Sequence, residues 1–195
     1  MLYRTCRVLL RIIFKLAFGL QSFGKENIPS GGGLILCSNH ISLIDPPLVG
    51  TPLSRRVHFM AKEELFRIPG FGRFIRALGA FPVKRGGVSK ESIRLATQLL
   101  KDQNVLCIFP EGTRSNAGGM GKKGAASLAF KADAIVIPVA IVGNYRLFRR
   151  MRIYYGPPVD LSEFKENPSS ESLELATERI MSDIRGMVER YSRQK

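Results

Sequence analysis

The sequence contains no tryptophan, two histidines and only three cysteines among its 195 residues. Cys6, Cys37 and Cys107 lie far apart and form neither a CxxC pair nor a zinc-binding spacing, which excludes the common cysteine-based metal and redox motifs. Cys37 and Cys107 each lie in an apolar run, so we interpret them as buried thiols in a reducing compartment. The hydrophobic content of 45% is that of a globular chain and argues against disorder.

Acidic residues are scarce in this chain. Sixteen Asp and Glu residues stand against thirty Lys and Arg residues, which gives a net charge of +14 and a pI near 10.2. A charge of this size predicts an anionic partner, such as nucleic acid, acidic lipid or a phosphorylated metabolite. A basic surface without any partner is the alternative.

A long uninterrupted apolar run is missing from the N-terminus, because a cation interrupts every turn of residues 1–20. The cations, Arg4, Arg7, Arg11 and Lys15, are spaced to form one stripe on a helix, and most other positions are apolar. A spanning helix needs about 20 mostly apolar residues, and a signal-peptide cleavage site does not follow. We therefore predict that residues 1–25 form a basic amphipathic helix at an anionic membrane surface, peripheral or monotopic on the cytoplasmic face of the cell membrane. Packing on the protein's own core is the alternative, and both can hold.

The remainder of the chain alternates apolar strand-like runs with helical patterns. "GGLILCSN", "RVHFMA", "AFPVKR", "NVLCIFP" and "AIVIPVAIV" are predicted strands, residues 88–102 form a predicted amphipathic helix, and another helix follows "PSS". Strands that are apolar throughout predict an α/β domain over residues 26–195, with a mostly parallel central sheet flanked by helices. Pro82 predicts that its strand lies at an edge of the sheet or bends.

Ligands collect at the carboxyl ends of the strands in such a sheet. The stretch "NHISLID" places His40 and Asp45 directly after one strand. Histidine has the ordinary pKa of a general base, and a carboxylate on its second nitrogen would fix its tautomer. Alone the HxxxxD pattern is a weak signal. The alternative that His40 is an ordinary polar residue at the end of a strand therefore remains open. The other histidine, His58, alternates with apolar neighbours and is interpreted as structural.

Other functional motifs fail on inspection. "GGMGKK" lacks the first glycine and the final Ser or Thr of a phosphate loop. "SGGG" precedes a strand instead of following one, so it is not a dinucleotide fingerprint. A GxSxG nucleophile elbow is missing. The sequence also has no helix-turn-helix, RNP motif or aromatic–basic interleaving, so nucleic acid is not an expected partner.

Four blocks in order resemble the glycerolipid acyltransferase family, from about residue 22 to residue 160. They are "NHISLID", "GAFPVKR", "FPEGTRS" and "IPVAI". The resemblance implies transfer of a fatty acyl group from acyl-CoA or acyl-carrier protein to the sn-2 hydroxyl of 1-acyl-glycerol-3-phosphate, a lysophosphatidate, during phospholipid biosynthesis. It implies that His40 is the base and Asp45 its partner, and that no metal or bound cofactor is required.

The resemblance also implies a set of substrate-binding residues. Arg85 and Arg114 match the motif arginines that hold the acceptor phosphate, and Glu111, Gly112 and Thr113 belong to the third block. Lys62 and Lys123 stand where basic residues recur in family members. Lys62 and the Gly112 backbone N–H are both candidates to donate a hydrogen bond to the oxyanion, and the choice between them is left open. Acceptors such as glycerol-3-phosphate or another lysolipid are the alternative within the family, and a non-catalytic basic lipid-binding protein is the alternative outside it.

Overall fold

The apolar runs of the sequence form the strands of one sheet. The computed structural model describes residues 2–83, 90–111, 123–167 and 169–193. Within those ranges the strand order is β1-β7-β6-β2-β5-β3-β4. The strands are β1 Gln21–Phe23, β2 Leu34–Ser38, β3 Val57–Lys62, β4 Ala80–Val83, β5 Val105–Ile108, β6 Ile135–Val142 and β7 Arg152–Tyr155.

The sheet is mostly parallel, as predicted. β6, β2, β5, β3 and β4 run in one direction, and β7 pairs with β6 in the antiparallel sense. β1 pairs in parallel with β7, so these two strands run against the other five. β4, which contains Pro82, lies at the end of the strand order, and this confirms the predicted edge position. β1 was not expected from the sequence.

Helices cover both faces of the sheet, and two core clusters result. On β2, Ile35 and Cys37 belong to one cluster and Leu34 and Leu36 to the other, as the alternation of a strand requires. The first cluster takes side chains from α5, α6 and α8, and the second from α1 and α2. The helices are α1 Leu2–Phe18, α2 Asp45–Gly50, α3 Glu63–Phe66, α4 Phe71–Ala77, α5 Lys90–Lys101, α6 Gly124–Ala132, α7 Ser162–Lys165 and α8 Ser170–Ser192, with a 3-10 turn at Lys25–Asn27.

The N-terminal helix α1 docks along one side and leaves the other side open. Phe14 is buried in the second core cluster, and Leu10 and Phe18 pack against that cluster. The opposite side exposes a band of apolar residues with cations along its border. We call this band the apolar arc; it consists of Leu2, Val8, Leu9, Ile12, Ile13 and Leu16.

One member of the predicted basic stripe points elsewhere. The Arg7 guanidinium donates to the backbone carbonyls of Leu53 and Ser54 at 2.9 and 2.6 Å. Arg4, Arg11 and Lys15 are exposed. None of the helices in the described ranges combines the length and hydropathy that crossing a bilayer requires. The division into residues 1–25 and 26–195 stays a prediction, although β1, inside the first segment, is part of the sheet.

Candidate active site

The loop after β2 brings His40 and Asp45 together. Nδ1 of His40 lies 2.7 Å from Oδ2 of Asp45, within hydrogen-bond distance. The five-residue separation is closed because Asp45 begins α2, where Pro46 and Pro47 suit the first helical positions. The backbone N–H of Asp45 also donates to the Ser42 carbonyl at 3.2 Å, which closes the turn.

The Asp45 carboxylate is fully buried and surrounded by donors. Oδ2 accepts hydrogen bonds from the backbone N–H groups of Ile41 and Ser42, both at 2.7 Å, besides its contact with His40. Oδ1 accepts a hydrogen bond from the hydroxyl of Tyr145. A buried charge is tolerated only when its hydrogen-bonding capacity is met. The loop and Tyr145 therefore hold the carboxylate in a fixed orientation behind the imidazole.

The orientation of His40 follows from this carboxylate. Because Asp45 accepts at Nδ1, a neutral imidazole carries its proton there and presents the lone pair of Nε2 on the other side. The ring stacks on Phe109, the residue after β5, with a centroid distance of 4.2 Å and an interplanar angle of 27°. The side chain is 16% exposed. The histidine is thus held between its carboxylate and an aromatic ring while solvent or a ligand can still reach it.

Asn39 anchors the start of the loop to the neighbouring strand. Its amide Nδ2 donates to the Ile141 carbonyl at 3.0 Å, and its Oδ1 accepts from the Ile141 N–H at 2.8 Å. Both bonds are buried, and Ile141 lies in β6. The residue before His40 is therefore fixed by the sheet itself.

Tyr145 is a site residue that the sequence did not reveal. It follows β6, and its ring meets Phe18 of α1 edge-on at 5.6 Å. Burial, followed by the hydrogen bond to Asp45 and the charge of that residue, raises the pKa of Tyr145 well above its ordinary value. The hydroxyl therefore stays protonated and acts as a donor. A polar residue at the carboxyl end of a buried strand is the signal that could have found it.

The other predicted site residues are only partly described. Lys62 ends β3 at the carboxyl edge with an exposed side chain. Glu111 follows β5 and is buried. Arg85, Gly112, Thr113 and Arg114 lie outside the described residues. Lys123 is engaged elsewhere, because its Nζ bonds Ser170 Oγ at 2.8 Å and pairs with Glu174 of α8.

Nearly the whole chain resembles known proteins in sequence and in structure. Residues 20–142 match the family described as Acyltransferase, so the chain belongs to the acyltransferase family. It is 32% identical over 190 residues to the 1-acyl-sn-glycerol-3-phosphate acyltransferase of Bacillus subtilis (strain 168), with 94% of this chain and 96% of the relative covered. A protein of the same name from Streptococcus pneumoniae is 32% identical over 162 residues, with 80% and 60% covered.

A solved structure agrees with this family. The crystal structure of the 1-acyl-sn-glycerophosphate (LPA) acyltransferase, PlsC, from Thermotoga maritima matches with a TM-score of 0.73 and 31% sequence identity. The match covers 98% of this chain and 79% of that structure. The family predicted from four sequence blocks and the predicted fold are therefore confirmed.

Proposed function

We propose that this chain transfers a fatty acyl group from an acyl thioester to the sn-2 hydroxyl of 1-acyl-sn-glycerol-3-phosphate, which gives phosphatidic acid. Its enzyme class, an acyltransferase of the 1-acylglycerol-3-phosphate type, is supported by the family, by both relatives and by the solved structure. The observation that carries a mechanism is the 2.7 Å contact between His40 and Asp45 at the carboxyl edge of the sheet.

His40 is the general base of this mechanism. Its Nε2 takes the hydroxyl proton of the acceptor as the oxygen attacks the thioester carbonyl carbon. The tetrahedral intermediate then breaks its C–S bond, and the leaving thiolate takes the proton back from the imidazolium. Asp45 stabilises that imidazolium, and general-base help of this kind contributes about 10²–10⁴-fold. A covalent acyl-enzyme is not needed for this sequence of steps.

The acceptor is held by its phosphate in this proposal. Arg85 and Arg114 match the motif arginines of the family, and a planar, always charged guanidinium suits a phosphate because it can donate two parallel hydrogen bonds. Lys62, at the carboxyl end of β3, supplies a further cation. Glu111, Gly112 and Thr113 belong to the same sequence block as Arg114, and the Gly112 N–H and Lys62 are the candidate donors to the developing oxyanion.

The membrane placement is supported by α1. Its apolar arc is exposed, and Arg4, Arg11 and Lys15 are exposed beside it. An apolar face bordered by cations suits the boundary between head groups and acyl chains of an anionic leaflet. We place the chain at the cytoplasmic face of the cell membrane as a peripheral or monotopic protein. Acyl-CoA and acyl-carrier protein are the two candidate donors.

Thiol release tests this function. The intact protein is given acyl-CoA or acyl-carrier protein with 1-acyl-glycerol-3-phosphate, glycerol-3-phosphate or lysophosphatidylcholine, and free thiol is measured. Release is expected with 1-acyl-glycerol-3-phosphate, is expected to be lost in His40→Ala, and is expected to persist in the matched variant His58→Gln. Arg114→Ala is expected to raise the acceptor KM more than the donor KM. Preference for another acceptor would replace the assigned substrate, and no release with any acceptor would favour a lipid-binding protein.

A further inference from the structure

The loop between β6 and β7 carries an exposed apolar pair flanked by arginines. Residues 146–150, which we call the basic tip, read "RLFRR". Leu147 is 61% exposed and Phe148 is 81% exposed. Phe148 also has a φ of +62°, in the left-handed region that bulky side chains seldom occupy. A strained backbone that presents a large aromatic ring to the outside suggests a binding role.

The basic tip is fixed to the C-terminal end of α1. The backbone N–H of Phe148 donates to the Ala17 carbonyl at 2.7 Å, and the N–H of Met151 donates to the Phe18 carbonyl at 2.8 Å. These bonds satisfy carbonyls that a helix end leaves without partners in the helix. They also place the exposed Leu147 and Phe148 next to the last turn of α1, where Leu16 of the apolar arc is exposed.

The same edge of the sheet carries the His40–Asp45 pair. The basic tip follows the carboxyl end of β6, and the loop with His40 follows the carboxyl end of the parallel neighbour β2. Leu43 in that loop is exposed as well. Tyr145, the residue before the basic tip, donates to Asp45 and packs on Phe18. The apolar arc, the basic tip and the pair thus form one connected unit.

We propose that the basic tip is a second contact of this protein with an anionic lipid surface. Leu147 and Phe148 enter the boundary of the acyl chains, and Arg146, Arg149 and Arg150 meet the lipid phosphates. The three cations alone would also suit an acidic protein. The exposed apolar pair favours lipid, because apolar side chains gain free energy when they leave water and the acyl-chain boundary takes them up beside the charged head groups. The inference rests on the proposed membrane placement and adds that the catalytic edge faces the lipid.

The lack of tryptophan gives a direct test. Phe148→Trp creates a protein with one tryptophan, and Leu175→Trp on α8, across the sheet, is the matched control. With vesicles that contain phosphatidylglycerol, the emission of Trp in Phe148→Trp is expected to shift to the blue and resist aqueous quenchers, while the control is unchanged. The double variant Leu147→Ser with Phe148→Ser is expected to bind these vesicles roughly 10-fold or more weakly, and Leu175→Ser is expected to bind normally.

Three results would overturn the inference. In the first, vesicles leave the emission of Phe148→Trp unchanged while they shift that of Leu16→Trp in α1. In the second, the double serine variant binds vesicles as well as the wild type. In the third, the emission of Phe148→Trp changes when acyl-carrier protein is added but not when vesicles are added. Because emission reports contact and not turnover, failure of the proposed reaction leaves this test intact. Conversely, the protein could transfer acyl groups to a detergent-dispersed acceptor while Phe148→Trp shows no emission change on vesicles. That result would support the proposed reaction and contradict the proposed lipid contact of the basic tip.

Discussion

The hydroxyl of Tyr145 donates a hydrogen bond to Oδ1 of Asp45, the oxygen that does not face His40. Asp45 is therefore held from two sides, by the loop that begins at His40 and by a residue one hundred positions later in the chain. The same tyrosine ring touches Phe18 in α1. The orientation of the candidate base thus depends on a residue that also contacts the N-terminal helix.

Removal of this hydroxyl is expected to lower turnover without weakening substrate binding. A hydrogen bond to a charged group is worth about 1.5–3 kcal/mol, so Tyr145→Phe is expected to reduce kcat by roughly tenfold or more at unchanged KM. Asp45 loses a donor that fixes its orientation, so the imidazole is held less firmly in the position for proton transfer. Tyr155→Phe, which removes another buried hydroxyl, bound to the Val49 carbonyl, is the control and should keep the wild-type kcat. An unchanged kcat in Tyr145→Phe would mean that the tyrosine has no role in positioning His40.

Asp45→Asn tests the charge of the carboxylate separately from its shape. The amide oxygen can still accept from the Ile41 and Ser42 N–H groups, so the loop is expected to keep its conformation. The neutral side chain does not stabilise an imidazolium, and kcat is expected to fall by about 10²–10⁴-fold. Thiol release measures the loss, and circular dichroism with thermal unfolding checks the fold. Turnover near the wild-type level would contradict the assigned role of Asp45.

Asn39 is expected to matter for stability. Asn39→Ala leaves the buried N–H and C=O of Ile141 without their side-chain partner, and each such group costs about 1–3 kcal/mol. The free energy of unfolding in urea is expected to fall by about 2–6 kcal/mol. Asn27→Ala, which removes one half-buried bond to the Tyr155 carbonyl, provides a comparison and should cost about 1 kcal/mol. An equal loss of unfolding free energy in the two variants would contradict the anchoring role of Asn39.

His58 is expected to make the protein less stable in mild acid. Burial, and then the charge of Arg56, lowers the pKa of His58 below its ordinary value of 6.5, and smaller effects of hydrogen bonds with Gly79 and Asn104 oppose this. The unfolded chain therefore binds a proton at higher pH than the folded chain. The contribution to stability is present above the ordinary pKa and is lost as the pH falls through the lower, folded-state pKa.

The measurement is urea unfolding at several pH values between about 7 and 5. His58→Gln cannot take up this proton, so its free energy of unfolding is expected to fall less steeply over that range than that of the wild type. His40 is present in both proteins, so the difference between the two slopes belongs to His58. Parallel slopes would contradict the expectation.

The sequence predicted the elements whose signals are local. Apolar runs identified the strands of the parallel sheet, and residues 88–102 contain the helix Lys90–Lys101. The contact of His40 with Asp45 was predictable because only a short turn had to close. Tyr145 was missed because its partner lies one hundred residues away. β1 was missed because a three-residue strand has almost no pattern and exists through its pairing with β7.

Helical periodicity also has a physical limit in α1. The spacing predicted that Arg7 lies in one stripe with the other cations, and its backbone position on the helix agrees with that prediction. Its long side chain instead reaches the carbonyls of Leu53 and Ser54. A periodic pattern gives the direction in which a side chain leaves the helix, but acceptors elsewhere in the fold decide where a flexible guanidinium ends.

The pairing of β1 with β7 also sets an order in time. Gln21 pairs with Arg152, about 130 residues further along the chain. At the usual pace of about 5–20 residues per second, a ribosome needs roughly 7–26 s to make that stretch. The newly made α1 spends this interval without the completed sheet on which its inner side packs. The order of synthesis therefore makes α1 available before the surface on which its inner side docks has formed.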